Sequence, residues 1–306
     1  MADKVLIMSD YHVPVLLKSS IDYLVTDPDG IYVDLTFGGG GHSREILSRL
    51  TSKGRLIVFD QDEDAKENLP DDARITFVQS NFKYLYRFWK WMDIPKASGI
   101  LADLGVSSYQ FDEEDRGFSY RFDNELDMRM NRQSELTAAA ILNMYDAQSL
   151  QAVFSEYGEL RNARTLAREI LAYREKGAEI DSSRVLNRIL DKVRIGDRFK
   201  YYAQVYQSLR IEVNDEMNAL KQMLMDSEKV LALGGRLVLI SYHSLEDRLV
   251  KKFLKSGNFK GHIEKDEYGK SLVPFKAVKK LVLPDESEVK INSRARSAKM
   301  RIAEKI

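Results

Sequence analysis

The sequence predicts an open α/β sheet that is interrupted by an all-helical insertion. Five short apolar runs are typical of buried parallel strands, and they occupy residues 31–36, 55–60, 75–79, 97–102 and 236–241. The first four recur about every 20 residues with helical patterns between them, which is typical of right-handed βαβ crossovers. More than 130 residues separate the fourth run from the fifth, and a single crossover needs far fewer.

The long gap between the fourth and fifth strands has helical periodicity. Helices are predicted at 135–144, 147–157, 163–176 and 182–193. Asp146 and Asp181 stand where helix N-caps are expected. We therefore predict a discontinuous core at 1–111 and 207–306 with a helical insert at 112–206. A helix at 211–233 returns the chain to the sheet, and 274–283 predicts a late edge strand.

Composition excludes several classes of protein. The 306 residues include no cysteine, which excludes disulfides and thiolate metal sites, and the four histidines form no H-x-x-x-H pair, so no metal site is predicted. No apolar run approaches the roughly 20 residues that span a bilayer, and the first residues lack a signal-peptide pattern. These features predict a cytoplasmic protein that does not contact a membrane.

A net charge of zero conceals an asymmetry along the chain. Residues 248–306 contain 16 Lys and Arg against 7 Asp and Glu, a net charge of +9, so the rest of the chain carries −9. A basic end on an acidic body suits a polyanionic partner, because neutralising phosphates drives such binding. Charge alone equally fits a solvated surface.

A glycine-rich loop follows the first predicted strand. Gly38, Gly39, Gly40 and Gly41 come in succession before a predicted helix, where backbone can approach a ligand closely. The second strand ends at Asp60, and a carboxylate at that position can bind a ribose diol or cap a helix.

Three details favour S-adenosylmethionine over a dinucleotide as the ligand of this loop. Asp34 precedes the glycines and can sit near the cationic end of the cofactor, which has no phosphate for the loop to cradle. Gly234 and Gly235 precede the fifth strand in a pattern that resembles class I methyltransferases. No G-K-[ST] follows the glycines, so a P-loop is excluded.

Polar residues also follow the fourth and fifth strands. Asp103 comes directly after the fourth strand, and Ser107 lies four residues further on. Because ligands of open α/β sheets bind beyond the carboxyl ends of the strands, Asp103 can orient an amine toward a methyl donor, or it can cap a helix or contact the cofactor. After the fifth strand, Tyr242 can stack on an extruded base, and His243 can contact substrate or cap the next helix.

Nine motifs, spread in order over nearly the whole chain, resemble the MraW family of 16S ribosomal RNA (cytosine-N4-)methyltransferases. They are HVPVLL at 12–17, DLTFGGGGHS at 34–43, DQDEDA at 60–65, ADLGVSSYQ at 102–110, RGFSYRFDNELDMRM at 116–130, YGELRNA at 157–163, SLRIEVNDE at 208–216, ISYHSLEDR at 240–248 and SRARSAKMR at 293–301. Two departures from the family pattern, Gly39 and the pair Asn292–Ser293, do not touch the chemistry.

The resemblance implies a class I, Rossmann-like sheet that uses S-adenosylmethionine to methylate N4 of a cytidine in the decoding centre of bacterial small-subunit ribosomal RNA. It implies cofactor contacts at matching positions, with Phe82 against the adenine. These contacts are Gly40, Gly41, His42, Asp60, Phe82, Asp103 and Gln110. Asp103, Ser107 and His243 are then the candidate catalytic residues.

Basic residues mixed with aromatic ones predict the RNA contacts, because cations meet phosphates and rings stack on unpaired bases. Arg198 belongs to such a segment of the insert, although Tyr202 or Tyr206 within it is expected to be buried. Arg294 and Arg296 lie in a basic tail that either contacts RNA or docks on the sheet as a helix. Arg129 and Arg132 can either contact RNA or pair with nearby carboxylates, and the sequence does not distinguish these two roles.

Three other functions use some of the same features. A nicotinamide-dependent dehydrogenase shares the glycine loop, an RNA-assembly factor could retain a relic cofactor site, and an amino-methyltransferase could act on DNA. The resemblance weighs against all three. The sequence leaves open whether free ribosomal RNA or the assembled small subunit is the substrate, and whether the chain forms a homodimer.

Overall fold

A computed structural model describes residues 14–107 and 113–306. Contacts divide the chain into two compact units. The sheet unit joins the segment ending at Gly105 to Leu220–Ile306, and the helical unit is Val106–Ala219. The fold class is therefore an α/β sheet with an inserted all-helical unit, as predicted.

The helices lie in both units, and the strands form one sheet in the sheet unit. In chain order the helices are α1 (Leu17–Leu24), α2 (Gly41–Arg49), α3 (Leu85–Met92), α4 (Ala138–Met144), α5 (Ala147–Glu156), α6 (Ala163–Arg174), α7 (Ser183–Val193), α8 (Arg198–Val213), α9 (Glu216–Val230), α10 (Ser244–Ser256) and α11 (Glu286–Ile291). The strands are β1 (Ile31–Asp34), β2 (Arg55–Asp60), β3 (Ile75–Gln79), β4 (Ala97–Asp103), β5 (Leu231–Ser241), β6 (Phe275–Val282) and β7 (Lys299–Lys305). Short 3-10 helices cover Glu63–Asn68, Phe82–Tyr84, Glu114–Arg116 and Ser293–Ser297.

The sheet has the strand order β3-β2-β1-β4-β5-β7-β6. The first five strands pair in parallel, in the order of a doubly wound fold whose two halves meet between β1 and β4. β7 pairs antiparallel with β5 on one side and with β6 on the other. The carboxyl ends of β2, β1, β4 and β5 therefore lie side by side.

Both faces of the central strands are buried, because successive residues point to opposite sides of the sheet. Val33, Ile57 and Ile100 belong to one apolar cluster, which also takes in residues of α3, α9 and α10. Their neighbours Leu56 and Leu101 belong to a second cluster with residues of α1 and α2. This two-sided burial explains why the strands appear in the sequence as continuous apolar runs.

The C-terminal part of the sheet differs from the sequence prediction in one respect. The predicted edge strand at 274–283 is β6 and lies at the edge. The basic tail, however, contributes β7, which the sequence analysis missed, and Met300 and Ile302 on this strand are fully buried. The tail therefore forms a short 3-10 helix at Ser293–Ser297, and the residues after it dock on the sheet as a strand.

The returning helix predicted at 211–233 is two helices. α8 ends at Val213 and α9 begins at Glu216, and Asp215 between them has a left-handed backbone with φ of 51°. α9 leads directly into β5, which starts at Leu231, five residues before the predicted strand.

The helical unit has its own core. Tyr202 and Tyr206 of α8 are both buried, as expected, and their rings meet Tyr120 edge-on with centroids 5.8 Å apart. Asp146 caps α5 by accepting from the Ser149 amide at 2.7 Å, whereas the N-cap of α7 is Ser182 and not Asp181. α8 continues to Val213, so the helical unit extends beyond the predicted end of the insert at 206. In the described residues, no helix is long and apolar enough to cross a membrane.

Candidate functional site

Each central parallel strand ends in a carboxylate at the same edge of the sheet. β1 ends at Asp34, β2 at Asp60 and β4 at Asp103. The adjacent β5 ends at Ser241 and is followed by Tyr242. Since these strands are neighbours, the fold collects three acidic side chains and a tyrosine that are distant in sequence.

The glycine loop between β1 and α2 is shaped by contacts within the protein. Gly40 has a left-handed backbone with φ of 75°, and a Cβ there would lie 2.9 Å from the Phe37 ring. A Cβ on Gly41 would collide with the ring of Pro14. Both glycines are therefore required by local packing and conformation, whatever they contact besides.

Asp60 ties the loop to β2. Its carboxylate accepts hydrogen bonds from the Gly38 amide at 2.8 Å and the Asp62 amide at 2.9 Å. Asp62, and not Asp60, is the N-cap of the following 3-10 helix. Burial raises the pKa of Asp60 to about 6, and the two amides offset part of that effect. Each carboxylate oxygen retains a lone pair for the hydroxyls of a ligand.

Phe82 begins the 3-10 helix after β3. Asn81 caps that helix by accepting from the Lys83 amide at 2.9 Å, and its own amide donates to Gln61 at 2.8 Å. Gln61 directly follows Asp60, so the carboxyl ends of β2 and β3 are held together. Phe82 is half-buried against the core of the sheet unit.

Asp34 lies beneath the loop. It is 1% exposed and accepts from the Ser43 hydroxyl at 2.7 Å and the Thr36 amide at 3.1 Å. Burial raises its pKa, although His42 and the hydrogen bonds from Ser43 and Thr36 counteract the rise. The geometry thus makes Asp34 an anchor for the start of α2, where the sequence had suggested direct contact with the cofactor.

His42 connects the loop to the N-terminal segment and to β4. Its Nε2 lies 3.2 Å from the Val15 carbonyl oxygen, and its Nδ1 lies 4.0 Å from Oδ2 of Asp103. A carbonyl oxygen can only accept, so Nε2 carries a hydrogen. Nδ1 is the ring nitrogen that faces the Asp103 carboxylate.

Asp103 is held from two sides. Its amide donates to the Thr36 hydroxyl at 2.7 Å, and its Oδ1 accepts from the Tyr242 hydroxyl at 2.7 Å. Burial raises the pKa of Asp103 to about 6, against the lowering effects of His42 and Tyr242. The side chain is 22% exposed. Oδ2 is the oxygen left to face a ligand.

Tyr242 was predicted to stack on a base, and the structure gives its hydroxyl a different partner in Asp103. The ring lies beside Gly105, whose φ is 99° and whose Cβ would be 3.8 Å from the ring. Sequence analysis had no signal for this bond, because 139 residues separate its two ends. Thr36, which supports both Asp34 and Asp103, was also missed.

His243 is the N-cap of α10. Its Nδ1 accepts from the Glu246 amide at 3.4 Å, and the Glu246 carboxylate accepts from the His243 amide at 3.4 Å, which completes a capping box. The same carboxylate also accepts from the Tyr242 amide at 3.0 Å. Nε2 also faces Glu246 at 3.1 Å. Of the two roles open from sequence, the geometry shows the capping role.

The remaining predicted residues lie elsewhere. Ser107 is half-buried near the start of the helical unit, and Gln110 lies outside the described residues. Arg294 and Arg296 lie on the 3-10 helix Ser293–Ser297, half-buried and exposed respectively. Arg198 begins α8, pairs with Asp191 at 2.9 Å and lies over the Tyr202 ring.

The hydrogen bonds of the loop discriminate between cofactors. The Gly38 and Gly40 amides donate to Asp60 and to the Phe37 carbonyl, and so they are not available to a pyrophosphate. The ligating groups at this edge are carboxylates, which suit ribose hydroxyls and a cationic sulfonium. The site therefore fits S-adenosylmethionine and not a dinucleotide.

The sheet, the loop and the carboxylates define a class I methyltransferase. The sequence model of the MraW methylase family matches residues 9–306, and the chain belongs to this family. It is accordingly an enzyme that uses S-adenosylmethionine as its methyl donor.

Similar proteins span nearly the whole chain. A ribosomal RNA small subunit methyltransferase H from Flavobacterium psychrophilum is 56% identical over 293 residues, covering 95% of this chain and 100% of its own. Proteins of the same name from Parabacteroides distasonis and Cytophaga hutchinsonii are 55% and 50% identical. Their alignments cover 97% and 96% of this chain, and 98% and 99% of their own chains.

Proposed function

We propose that this enzyme methylates small-subunit ribosomal RNA and that its target is N4 of a cytidine in the decoding centre. The names of the similar proteins support the RNA substrate. The single observation that carries the proposed target is Asp103, a half-buried carboxylate with one oxygen held by Tyr242 and the other facing outward at the end of β4. Such a group suits the N–H of an exocyclic amine.

Several residues of the sheet unit are proposed to bind the cofactor. Asp60 accepts hydrogen bonds from the two ribose hydroxyls, and Phe82 packs against the adenine. Gly40, Gly41 and His42 line the methionine end, while Asp34 acts indirectly by fixing the loop. Gln110 remains a predicted contact. Bound S-adenosylmethionine supplies an electrophilic methyl group on a sulfonium sulfur.

Asp103 is proposed to orient the cytosine amine. The lone pair of an exocyclic amine is delocalised into the ring, so the amine is a weak nucleophile. A carboxylate oxygen that accepts one of its N–H bonds turns the lone pair toward the methyl group. Formation of the N–C bond would be matched by cleavage of the sulfur–methyl bond, with the thioether as leaving group, and the nitrogen would release one proton to Asp103 or to solvent.

Tyr242 is proposed as the positioning residue for Asp103. Its hydroxyl fixes the rotamer of the carboxylate and stabilises the charged form, so Oδ2 is the oxygen presented to the amine. His243 stays in the cap that holds Tyr242 at the end of β5, and no chemical step is assigned to it. Ser107 remains a predicted contact to the reacting base.

The helical unit is proposed to recognise the RNA, because it combines exposed cations such as Arg198 with the exposed aromatic residue Phe199. Arg294 and Arg296 are proposed to contact phosphates. Free ribosomal RNA and the assembled small subunit are both retained as candidate substrates.

The experiment is methyl transfer from labelled S-adenosylmethionine to small ribosomal subunits that lack the modification, in parallel with RNA extracted from them. Nucleoside mass spectrometry identifies the product. We expect label as N4-methylcytidine at one position. Label on another nucleoside, or no label while calorimetry shows cofactor binding, would overturn the proposed target.

A further inference from the structure

Helix α10 has one buried face and one strongly basic face. Its buried residues are Glu246, Val250, Phe253 and Ser256, which pack into the sheet unit. The exposed residues Arg248, Lys251, Lys252 and Lys255 follow at helical spacings of three and four, so they form one stripe along the helix. We call these four residues the α10 stripe.

The two acidic residues in the first turn of α10, Glu246 and Asp247, have partners outside the stripe. Glu246 is buried and accepts from the amides of the helix cap. Asp247 accepts from Arg301 at 2.7 Å and 3.1 Å, and Lys299 lies 3.7 Å from it. The hydrogen bonds and ion pair described here join these carboxylates to groups outside the stripe, and the charge of Lys251 also helps to lower the pKa of Asp247.

The three lysines of the stripe have no ion-pair partner in residues 14–107 and 113–306. Basic residues of the helical unit differ, because Arg184, Lys192 and Arg194 each pair with a carboxylate. Like charges at these spacings destabilise a helix. Three lysines without an ion-pair partner in the described residues suit a ligand of opposite charge.

Two elements next to α10 also carry exposed lysines. β6 packs on α10 and carries exposed Lys276, Lys279 and Lys280, and Lys260 follows the helix. Since the apolar face of α10 is buried in the protein core, the helix cannot insert into a lipid surface. A polyphosphate backbone is the partner that this surface fits.

The position of the stripe relates it to the reaction. α10 starts two residues after Tyr242, whose hydroxyl contacts Asp103. From Arg248 to Lys255 the helix rises about 10 Å. Along the axis of a double helix each strand carries a phosphate about every 3.4 Å, so the stripe is long enough to contact more than one phosphate.

We infer that the α10 stripe binds the phosphates of the RNA strand flanking the target nucleotide. This inference rests on the proposed function, since it names the surface by which that RNA is held. These contacts are electrostatic and independent of RNA sequence, so they contribute affinity and position the strand. The residues at the carboxyl ends of the strands, such as Asp103, select the atom that is methylated.

The test replaces Lys251, Lys252 and Lys255 together by glutamine. The matched control replaces Lys18, Lys90 and Lys270, which are exposed elsewhere on the sheet unit, with the same change in net charge. Binding of unmodified small-subunit RNA is measured between 50 and 200 mM salt, roughly the range over which counterion release is resolved. Calorimetry with S-adenosylmethionine and thermal melting check that each variant is folded.

We expect the slope of log K against log salt to fall by about 2 in the stripe variant, at roughly 0.7 per lost contact, and to stay at the wild-type value in the control. Cofactor affinity stays unchanged in both. Equal slopes in the two variants would overturn the inference while leaving the proposed function intact. A change in oligomeric mass or in binding to anionic vesicles, with an unchanged RNA slope, would also overturn it. Failure of the wild-type protein to bind or methylate any ribosomal RNA would instead remove the proposed function itself.

Discussion

The strand-end carboxylates of the sheet unit differ in their partners from two ion-paired carboxylates of the helical unit. At the strand ends of the sheet unit, Asp60 and Asp103 accept from amides and a tyrosine hydroxyl, and neither pairs with a lysine or arginine in the described chain. In the helical unit, the two oxygens of Asp127 accept from Nε and Nη2 of Arg129, and the two oxygens of Glu216 accept from the same two nitrogens of Arg210. The negative charges of Asp60 and Asp103 are therefore available to a ligand, whereas those of Asp127 and Glu216 are neutralised by arginines within the protein.

The pKa values follow this difference. Burial raises the pKa of Asp60 and of Asp103 to about 6. Burial acts in the same direction on Asp127, but hydrogen bonds from Arg129 outweigh it and lower the pKa. A buried carboxylate without a cation destabilises the native state at neutral pH, whereas a paired one stabilises it. Uncompensated burial therefore marks a site, and compensated burial marks structure.

The largest expected effect comes from Asp103→Asn. The amide keeps an oxygen for Tyr242 but loses the charge that faces the amine, so kcat should fall about 10²–10³-fold. The same change should stabilise the protein without cofactor by on the order of 2 kcal/mol above pH 7, because a buried charge is removed. Single-turnover methyl transfer and thermal melting measure the two effects.

The matched substitution in the helical unit is Asp127→Asn. It leaves Arg129 with a poorer partner and should cost about 1–2 kcal/mol of stability. Cofactor affinity should not change. As the pH falls through the lowered pKa of Asp127 this contribution disappears, so the wild type and the variant should converge in strong acid. If Asp103→Asn lowered the stability of the protein and Asp127→Asn did not, the proposed difference between the two kinds of carboxylate would be wrong.

Asp60→Asn should act on binding. One carboxylate oxygen becomes an NH₂ group that faces the Gly38 or Asp62 amide, and the charge near the ribose hydroxyls is lost. We expect S-adenosylmethionine to bind about 10–100-fold more weakly by calorimetry. Asp72→Asn, in a sheet-unit carboxylate that pairs with Arg74, is the control and should leave affinity unchanged. Equal affinities in the two variants would rule out the ribose role.

Tyr242→Phe separates positioning from stacking, because phenylalanine keeps the ring and loses the hydroxyl. The Asp103 carboxylate then loses a donor that stabilises its charged form, so its pKa rises further. The acid limb of the rate profile should move up by about one pH unit. An unchanged limb with weaker RNA binding would favour the stacking role predicted from sequence.

The smallest effect is expected at Asp191, which pairs with Arg194 and Arg198 on the surface of the helical unit and is 41% exposed. Asp191→Asn should change stability by less than about 0.5 kcal/mol, because solvent already screens the pairs. Chemical denaturation measures this. A decrease of about 2 kcal/mol or more in the free energy of unfolding would show that exposed ion pairs also stabilise the fold.

The sequence predicted the parts of the fold that depend on local pattern. β1, β2 and β4 are buried on both faces and appear as apolar runs, and the glycine loop is visible as four consecutive glycines in the sequence. β7 was missed because its alternation of Met300, Ile302 and charged residues was attributed to a basic tail. The same residues are both basic and alternating, so the sequence fits a charged tail as well as a strand. The pairing of β7 with β5 and β6 shows that they form a strand.

The site was predicted less completely, for a related reason. Strand-end residues such as Asp60 and Asp103 follow from the rule that ligands bind at the carboxyl edge. Their partners follow from no local rule. Asp34 is shielded by Ser43, and Tyr242 meets Asp103 across the sheet, because burial and side-chain direction depend on neighbours distant in sequence.

The central claim is that the charged form of Asp103 orients the amine. Its most direct test is the rate of single-turnover methyl transfer to unmodified small-subunit RNA between pH 5 and 8, for the wild type and Asp103→Asn. The wild-type rate should be level above pH 7 and fall tenfold per unit below about 6, where the carboxylate is protonated. The Asp103 variant should be slow and independent of pH over this range. A wild-type profile that stays level to pH 5, or a variant that keeps the same acid limb, would contradict the claim.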